Sequence, residues 1–574
     1  MKVYLFASII ILISINTSAQ QCRFEKSKGT ETATYFEAID WYKQLDKKSP
    51  IVFVKEFGIT DAGYPLHLVM ISNDGKFDAA QWHAQHKVVL LINNGIHPGE
   101  PDGIDASMLL VRDIVNHKIT IPNNVALAFI PVYNIGGSLN RGGQTRVNQN
   151  GPAAYGFRGN AQNLDLNRDF TKCDTREAKT FTQIFHLIEP DILIDNHVSD
   201  GADYQYTMTL ITSQYDKLGK DLGKYVQSNF EPQLYQNMNE KGWDMTPYVN
   251  FETDGPEAGM QMFYDPPRFS SGYAALFQTP GFMPETHMLK PYADRVKATY
   301  SLMQTFIATA GKNADSLLTQ RKLQREAIIK QQFFPLSYTV DSSKLIYTIF
   351  KGYEQGFKTS DATGLQKMFY DRSKPFTKKV KYYNVFKEAN IVTKPAAYII
   401  PQGWHAVIDL LKLNKVDMRS FKTDTSFEVE VYHIADYKSN AKAYEKHHKN
   451  YGVKVTTGKE RIHFLKGDYI ILLNQAANRY LVEMLEPTGD DSFFAWNFFD
   501  AILQQKEGYS DYRWEDIAAD FIKNHPEVYQ QLQAKKVSDT AFANNASAQL
   551  EFIYKHSPYY EAAHLQYPVF RLNQ

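Results

Sequence analysis

His97 and Glu100 are the residues whose types and spacing point most directly to chemistry, because an imidazole and a carboxylate three residues apart can bind one metal ion. They lie on a Pro-Gly turn between the apolar run 88–92, which predicts a strand buried on both faces, and 102–115, which predicts a helix. Open α/β sheets place their ligands at the carboxyl ends of such strands. Burying this pair for packing alone is costly, so we interpret both residues as zinc ligands.

A catalytic zinc site has three protein ligands and one open position, so a further donor is needed. His197 is a candidate, because it follows the short apolar run 191–195, which predicts a parallel strand beside the first one. A histidine that merely caps the strand end is the structural alternative. Two strand-end histidines and a glutamate with the same placement favour the metal. We therefore predict that His97, Glu100 and His197 bind one zinc ion per chain.

The segment between these strands, 155–170, contains two arginines and three asparagines. Guanidinium groups bind carboxylates through two parallel hydrogen bonds, so we predict that this loop receives a carboxylate. Asp165 precedes Asn167 by two residues and, in extended chain, shares a face with it, from which it could hold a metal-binding imidazole from behind. A polar surface loop with solvated charges is the structural alternative for each residue taken alone.

Glu285 stands within the nearly apolar segment 282–288, just before the predicted helix 292–309. A carboxylate beside a metal can accept the proton of an attacking water and pass it to a leaving amine. We predict Glu285 as this general base, against the alternative of a salt-bridged structural glutamate. His287 is interpreted as a neighbour of the site and not as a fourth ligand.

These four separated motifs resemble, in order and chemistry, those of the zinc metallocarboxypeptidases of the funnelin, or M14, family. They are, along the chain, His97 and Glu100, then Asp165, Asn167 and Arg168, then His197, and last Glu285. The resemblance covers about 33–311. It implies an α/β fold with a mixed, mostly parallel eight-stranded sheet flanked by helices, and one zinc ion held by the three ligands already predicted.

The resemblance also implies roles for the polar loop. Asn167 and Arg168 are expected to bind the terminal carboxylate of the substrate. Arg158 is expected to polarise the scissile carbonyl, and Asp165 to orient the first zinc histidine, His97.

A tyrosine that closes over the substrate is a further expectation from the resemblance. Tyr264 and Tyr273 are the candidates, and Tyr264 is taken as substrate-binding. The segment 265–272, which corresponds to the specificity region of the family, carries charges of both signs and does not reveal the preferred terminal side chain.

Residues 1–19 have the pattern of a secretory signal, with Lys2, the mostly apolar core 3–15 and small residues at 17–19. We therefore expect a protein exported to the periplasm or outside the cell. No later run reaches the roughly 18 apolar residues that a membrane-spanning helix needs, so no integral membrane association is expected. The two cysteines, Cys22 and Cys173, allow at most one disulfide.

The charge balance and the later sequence indicate partners and organisation. With 63 Lys and Arg against 63 Asp and Glu, binding to nucleic acid is disfavoured. Helical spacing of polar residues predicts a connector over 312–335. Short alternating segments such as 344–350 and 426–433 predict a β-rich accessory domain over 336–574 that ends in helices. Its aromatic patch, 485–496, is interpreted as a contact with the catalytic domain, because no ligand or nucleophile set accompanies it.

The sequence thus predicts an exported zinc metallocarboxypeptidase that hydrolyses the C-terminal peptide bond of peptides or proteins, using water activated by zinc and Glu285. One alternative is a zinc amide hydrolase that acts on cell-wall stem peptides. A second alternative is a non-catalytic binding protein on the same scaffold, which would lack a ligand or the base, and neither is missing here. The oligomeric state and the preferred terminal residue stay open.

Overall fold

The computed structural model describes residues 20–251 and 255–573. The predicted signal segment, 1–19, lies outside the described residues. Within the described ranges, none of the helices is both long enough and apolar enough to span a bilayer.

A mixed sheet forms the centre of the amino-terminal half. The strands of this half are β1 (Val52–Ile59), β2 (Pro65–Ile71), β3 (Val88–Asn93), β4 (Val125–Ile130), β5 (Ile192–Asp195), β6 (His197–Ser199), β7 (Met208–Thr212), β8 (Met245–Pro247), β9 (Met260–Gln261) and β10 (Gly281–His287). In the part of the chain that is described, nine of these segments form the sheet, in the order β1-β2-β4-β3-β5-β10-β7-β8, with β6 beside β10.

The sheet is parallel at its centre, with antiparallel pairs on either side of that centre. β3 pairs in parallel with β4 and β5, whereas β2 and β7 run antiparallel to their inner neighbours. β5 and β6 keep one register along β10, since Leu193 pairs with Gly281 and His197 pairs with Glu285. They are one strand interrupted at Asn196. When β5 and β6 are counted as one strand, the sheet has eight strands and confirms the predicted mixed α/β fold.

Helices cover both faces of this sheet. They are α1 (Arg23–Lys26), α2 (Tyr35–Lys48), α3 (Ala79–Ala84), α4 (Asp102–Val115), α5 (Ile135–Leu139), α6 (Arg176–Ile188), α7 (Lys220–Tyr225), α8 (Glu231–Glu240), α9 (Ser270–Leu276), α10 (Tyr292–Lys312) and α11 (Ala314–Lys330). The helix expected over 102–115 has those bounds, and the one expected over 292–309 continues to Lys312. Buried apolar strands such as β3 and β4 need this cover on both faces.

Local capping explains where several helices begin. The Thr34 hydroxyl accepts a hydrogen bond from the Glu37 N–H, and the Glu37 carboxylate accepts one from the Thr34 N–H, so α2 starts with a reciprocal capping box. Thr175 caps α6 by accepting from the Ala178 N–H. These caps satisfy N–H groups that have no partner within the helix.

The carboxyl-terminal half is rich in β-structure, as predicted, and its later helices precede a last short strand. Its elements are β11 (Phe333–Val340), β12 (Ile346–Thr359), β13 (Gln366–Tyr383), β14 (Phe386–Thr393), β15 (Ala397–Ile400), α12 (His405–Leu413), β16 (Arg419–Ser420), β17 (Thr425–Ser439), β18 (Asn450–Phe464), β19 (Tyr469–Leu472), α13 (Asn478–Leu485), α14 (Asp511–Asn524), α15 (Pro526–Ser538), α16 (Thr540–Ala543), α17 (Ala546–Lys555) and β20 (Phe570–Leu572). β12 and β17 are longer than the segments 344–350 and 426–433 from which they were predicted. The domain limits themselves stay a prediction.

The two halves are joined by strand pairing and by buried charges. β9 of the first half pairs with β13 of the second. In the aromatic patch 485–496, the buried Asp491 carboxylate accepts hydrogen bonds from the Arg268 backbone N–H at 2.9 Å and from its guanidinium at 2.8 Å. The patch therefore contacts the first half. Cys22 and Cys173 are both buried and unpaired.

Candidate active site

The structure brings the three predicted zinc ligands together. His97 and Glu100 lie on the turn after β3, and His197 opens β6, in the neighbouring strand of the sheet. One ligand atom from each residue lies within 4.8 Å of the others, and all three residues are buried. Parallel pairing of β3 with β5 aligns the carboxyl ends of the two strands, which is why residues about a hundred positions apart meet.

A carboxylate lies beside each histidine on the side away from Glu100. His97 Nε2 lies 2.9 Å from Asp165 Oδ1, and His197 Nε2 lies 3.1 Å from Asp195 Oδ2. The opposite nitrogens face Glu100, with Nδ1 of His97 at 3.3 Å and Nδ1 of His197 at 3.2 Å from its carboxylate oxygens. Carboxylate partners of this kind fix the tautomer and the ring orientation of metal-binding histidines.

This donor set fits a zinc ion. Among the described residues, the buried Nδ1 of His97 has no hydrogen-bond partner, and an orphaned buried acceptor is costly. A cation between the two Nδ1 atoms and Glu100 would satisfy it. Two imidazoles and one carboxylate are the ligand types of catalytic zinc sites with one open position.

Asp195 and Arg146 are site residues that sequence reasoning missed. Asp195 ends β5 and its Oδ1 accepts a hydrogen bond from Asn93 Nδ2 at 3.0 Å. Asp195 could have been found from the sequence, because it precedes His197 by two residues and such residues share a face of a strand. Arg146 donates to Glu100 Oε1 at 2.8 Å from a loop that carries no motif. Burial opposes ionisation of Glu100, but His97 and Arg146 hold its pKa well below its usual range.

Glu285 lies on β10 directly beside His197, and it lines the same cavity as the metal ligands. Burial raises the pKa of Glu285 to about 8, although His197 opposes the shift. A cation bound by the neighbouring ligands would add positive charge beside this carboxyl group and lower that pKa. Metal binding therefore favours the carboxylate form that a general base requires.

The cavity has a volume of about 280 Å³, with a charged side and an apolar side. Its charged side includes Arg146, Arg158, Asn167 and Arg168, together with the metal ligands and Glu285. Its apolar side consists of Ile211, Tyr248, Phe263, Phe269 and Met283.

The polar loop predicted to bind a carboxylate does reach the cavity. The Arg168 guanidinium lies 4.1 Å from the centre of the Phe269 ring, and its Nη1 donates to the Asn167 carbonyl at 2.8 Å. Asn167 is itself fixed, since its Oδ1 accepts from the Ser270 N–H at 3.1 Å. Arg158 Nη2 lies 2.8 Å from Asp165. These contacts orient both arginines before any ligand binds.

Neither tyrosine considered as a lid lies at the cavity. The ring of Tyr264 packs 6.2 Å from those of Tyr338 and Phe386, because the pairing of β9 with β13 turns this part of the chain toward the second half. Tyr273 is buried in the core, where its hydroxyl donates to Asn414 Oδ1 at 2.7 Å. Tyr248, which sequence reasoning did not single out, is the tyrosine that lines the cavity.

The charged side chains of segment 265–272 do not line the cavity. Asp265 is buried beside Lys217, whose ammonium donates to the Asp265 carbonyl at 2.7 Å. Arg268 is paired with Asp491 at 2.8 Å. Of this segment, Phe269 lines the cavity. The two signs of charge in the sequence therefore do not indicate a charged specificity pocket.

Glu231 is a buried carboxyl group behind the apolar side of the cavity, beside Ile211, Tyr248 and Phe263. It accepts a hydrogen bond from the Tyr215 hydroxyl at 2.6 Å, and within the described ranges it makes no salt bridge. Burial raises the pKa of Glu231 from its ordinary value of 4.5 to about 7. The folded protein thus binds this proton more tightly than the unfolded chain does.

Replacing Glu231 with glutamine is expected to remove a pH-dependent loss of stability. The protonated carboxyl group of Glu231 stabilises the folded protein fully below pH 4.5, and this stabilisation is lost as the pH rises through 7. Glutamine cannot ionise, so the variant should gain up to about 3 kcal/mol over the parent between pH 5 and pH 8. Urea denaturation at both pH values measures this gain. The exposed Glu240→Gln on the same helix is the control, and an equal pH dependence in parent and Glu231→Gln would contradict the assignment.

Comparison with known proteins agrees with the site. Residues 38–187 match the family model of the zinc carboxypeptidases, Peptidase_M14. The matched range includes His97, Glu100 and Arg168 and ends before His197 and Glu285. Two curated relatives are both named Carboxypeptidase 2. The one from Trichophyton equinum is 21% identical over 437 residues, and the one from Trichophyton tonsurans is 20% identical over 434 residues. Each alignment covers 71% of this chain and 74% of the relative.

Solved structures of carboxypeptidases also align with part of the chain. Carboxypeptidase A from Helicoverpa armigera has 16% identity and a TM-score of 0.37, over 50% of this chain and 75% of that one. A metallo-carboxypeptidase from Pseudomonas aeruginosa has 13% identity and a TM-score of 0.37, over 50% and 70%. TM-scores of this size do not establish a shared fold, so the assignment depends on the family match and the site residues. On that basis, the chain is similar to the M14 zinc carboxypeptidases over residues 38–187, and these findings support a peptidase.

Proposed function

We propose that this protein is an exported zinc carboxypeptidase that removes the C-terminal residue of peptides or proteins. The observation that carries the proposal is the lining of one cavity by three metal donors, a buried carboxyl group and fixed arginines. The signal-like pattern of residues 1–19 supports export. Free C-termini are the proposed substrates.

The metal ligands set up the reaction. When bound by His97, Glu100 and His197, zinc supplies Lewis-acid chemistry that polarises a carbonyl group and acidifies water. Asp165 and Asp195 keep the two imidazoles oriented with Nδ1 toward Glu100. The three ligands line the same cavity as Glu285.

Proton transfer is assigned to Glu285. Its carboxylate accepts a proton from the attacking water and then donates it to the nitrogen of the departing amine. Arg158, which pairs with Asp165 and lines the cavity, is assigned to the oxygen of the scissile carbonyl. A guanidinium aimed at that oxygen stabilises the negative charge that develops there.

Substrate binding is assigned to Asn167, Arg168 and the apolar side of the cavity. The carboxylate of the terminal residue would pair with the Arg168 guanidinium, while its side chain would contact Ile211, Tyr248 and Phe269. Because Asp265 and Arg268 do not line the cavity, we propose a preference for apolar and aromatic terminal residues.

Replacing Arg168 with alanine tests the carboxylate assignment. A charge-assisted hydrogen bond contributes roughly 1.5–3 kcal/mol, so kcat/KM for free-acid peptides should fall roughly 10- to 150-fold. The parent enzyme should hydrolyse amidated peptides poorly for the same reason. Kinetics on matched acid and amide peptides measure both effects. Arg176→Ala, at an exposed position on α6, is the control. Equal turnover of acid and amide by the parent enzyme would exclude carboxylate capture.

A further inference from the structure

The loop 440–449, which connects β17 to β18 in the carboxyl-terminal half, lies against the polar loop of the active site. We define it as the docking loop. Tyr444 and Glu445 at its tip contact Arg168 and Asp165, and His447 contacts Asp174. These contacts join segments more than 270 positions apart in the chain. The docking loop therefore contacts residues that the amino-terminal half uses for its site.

We propose that Tyr444 and Glu445 are positioning residues of the substrate-carboxylate site, so that the carboxyl-terminal half is part of the machinery that recognises a free C-terminus. This inference rests on the proposed function, because it takes Arg168 as the group that binds the carboxylate. Tyr444 and Glu445 act through Arg168 and Asp165 and do not touch the substrate.

Tyr444 determines which edge of the Arg168 guanidinium faces the cavity. The Tyr444 hydroxyl accepts a hydrogen bond from Arg168 Nε at 3.1 Å, while Arg168 Nη1 donates to the Asn167 carbonyl. Phe269 covers one face of the same group. With Nε bonded to Tyr444 and one Nη1 hydrogen bonded to Asn167, the remaining N–H groups of Nη1 and Nη2 are the ones that can pair with a carboxylate. A guanidinium fixed in advance loses less entropy when it binds.

Glu445 fixes the backbone from which these residues project. Its carboxylate accepts a hydrogen bond from the Asp165 N–H at 2.8 Å. The Asp165 side chain in turn holds His97 Nε2, and it accepts from the Asn167 N–H at 2.9 Å. The turn that places Asn167 and Arg168 is thus held from outside by the docking loop and from inside by Asp165.

The backbone of the docking loop is held in an uncommon conformation. Glu445 and Lys446 have φ angles of 48° and 75°, a left-handed region that favours glycine and asparagine at the centre of a tight hairpin turn. Strain of this kind persists where surrounding contacts impose it. Glycine at position 445 would relieve the strain but would lose the contact with Asp165.

Other contacts anchor the docking loop independently of Tyr444 and Glu445. His447 Nε2 lies 2.8 Å from the Asp174 carboxylate, and Lys449 lies 3.2 Å from Asp491. The His447 ring also meets the buried Trp496 ring edge-on, with centroids 5.6 Å apart. Removing the Tyr444 hydroxyl alone should therefore leave the loop docked, which makes the substitution a clean test.

The test measures binding with catalysis disabled. Zinc-loaded Glu285→Gln protein is titrated calorimetrically with acetyl-Ala-Ala-Phe as the free acid and as the amide, with and without Tyr444→Phe. Loss of one hydrogen bond that orients Arg168 should weaken binding of the acid about 3- to 10-fold, with binding of the amide unchanged. Tyr451→Phe, an exposed tyrosine on β18, should change neither. In an Arg168→Ala background, Tyr444→Phe should have no further effect, because both changes remove one interaction.

The outcomes separate this inference from the proposed function. If the parent prefers the acid and Tyr444→Phe keeps that preference, the positioning role is wrong and the proposed function stands. If Tyr444→Phe weakens the acid and the amide equally, the residue has a general structural role and the inference is overturned. If the parent binds the acid and the amide equally, carboxylate capture is wrong, and the inference is overturned with it. In the otherwise unaltered enzyme, Tyr444→Phe should raise KM and leave kcat nearly unchanged.

Discussion

Glu285→Gln should lower kcat by about 10²–10⁴-fold, the usual effect of removing a general base, while the protein keeps its zinc. Glutamine matches the size and shape of the glutamate but cannot accept a proton from water at any working pH. The metal ligands are unchanged, so elemental analysis should find the same zinc content in parent and variant. Kinetics on a free-acid peptide, with zinc content measured on the same samples, test both statements.

The control for this prediction is Glu388→Gln, which alters an exposed glutamate on β14 that does not line the cavity. It should retain both zinc and activity. If Glu285→Gln keeps its zinc and most of its activity, Glu285 has a structural role, and another group must act as the base.

His197→Ala should remove most of the bound zinc and, with it, at least as much activity as is lost in Glu285→Gln. The substitution takes away one of three protein ligands and leaves Asp195 and Glu100 without their buried imidazole partner. An uncompensated buried charge adds to the loss of metal affinity. Elemental analysis should find about one zinc per chain in the parent and far less in the variant.

His287→Asn is the matched control for the metal prediction. His287 is buried near the site, and its Nδ1 accepts a hydrogen bond from the Leu289 N–H at 3.2 Å, which an asparagine side chain can also accept. Zinc should stay in this variant. Full zinc content in His197→Ala, or its loss in His287→Asn, would show that the third ligand had been assigned to the wrong histidine.

The central part of the site could be predicted because it follows from local patterns. Apolar runs at 88–92 and 191–195 indicate buried strands, and parallel neighbours in a sheet bring their carboxyl ends to one edge. His97, Glu100 and His197 stand at those ends, so their meeting required no knowledge of side-chain packing. Glu285 was also predictable, since a lone acidic residue in an apolar strand is costly without a function.

The surroundings of the site could not be predicted, because they depend on contacts between distant segments. Arg146 reaches Glu100 from a loop without a motif, and Tyr444 reaches Arg168 from the other half of the chain. The sequence shows that Arg268 is charged but not that Asp491 neutralises it. The sequence does not fix the position of Tyr264 relative to the site, so its prediction as a substrate-binding residue was wrong. In the structure, the pairing of β9 with β13 turns Tyr264 away from the cavity.

Mass spectrometry of a mixed peptide library tests the central claim most directly. Each peptide is present as free acid and as amide, and the library is incubated with zinc-loaded protein and with protein stripped of metal by a chelator. We predict the loss of single C-terminal residues, first from acids that end in apolar or aromatic residues, and only with the zinc-loaded protein. Internal cleavage, equal processing of amides, or the same products without metal would contradict the assignment as a zinc carboxypeptidase acting on free C-termini.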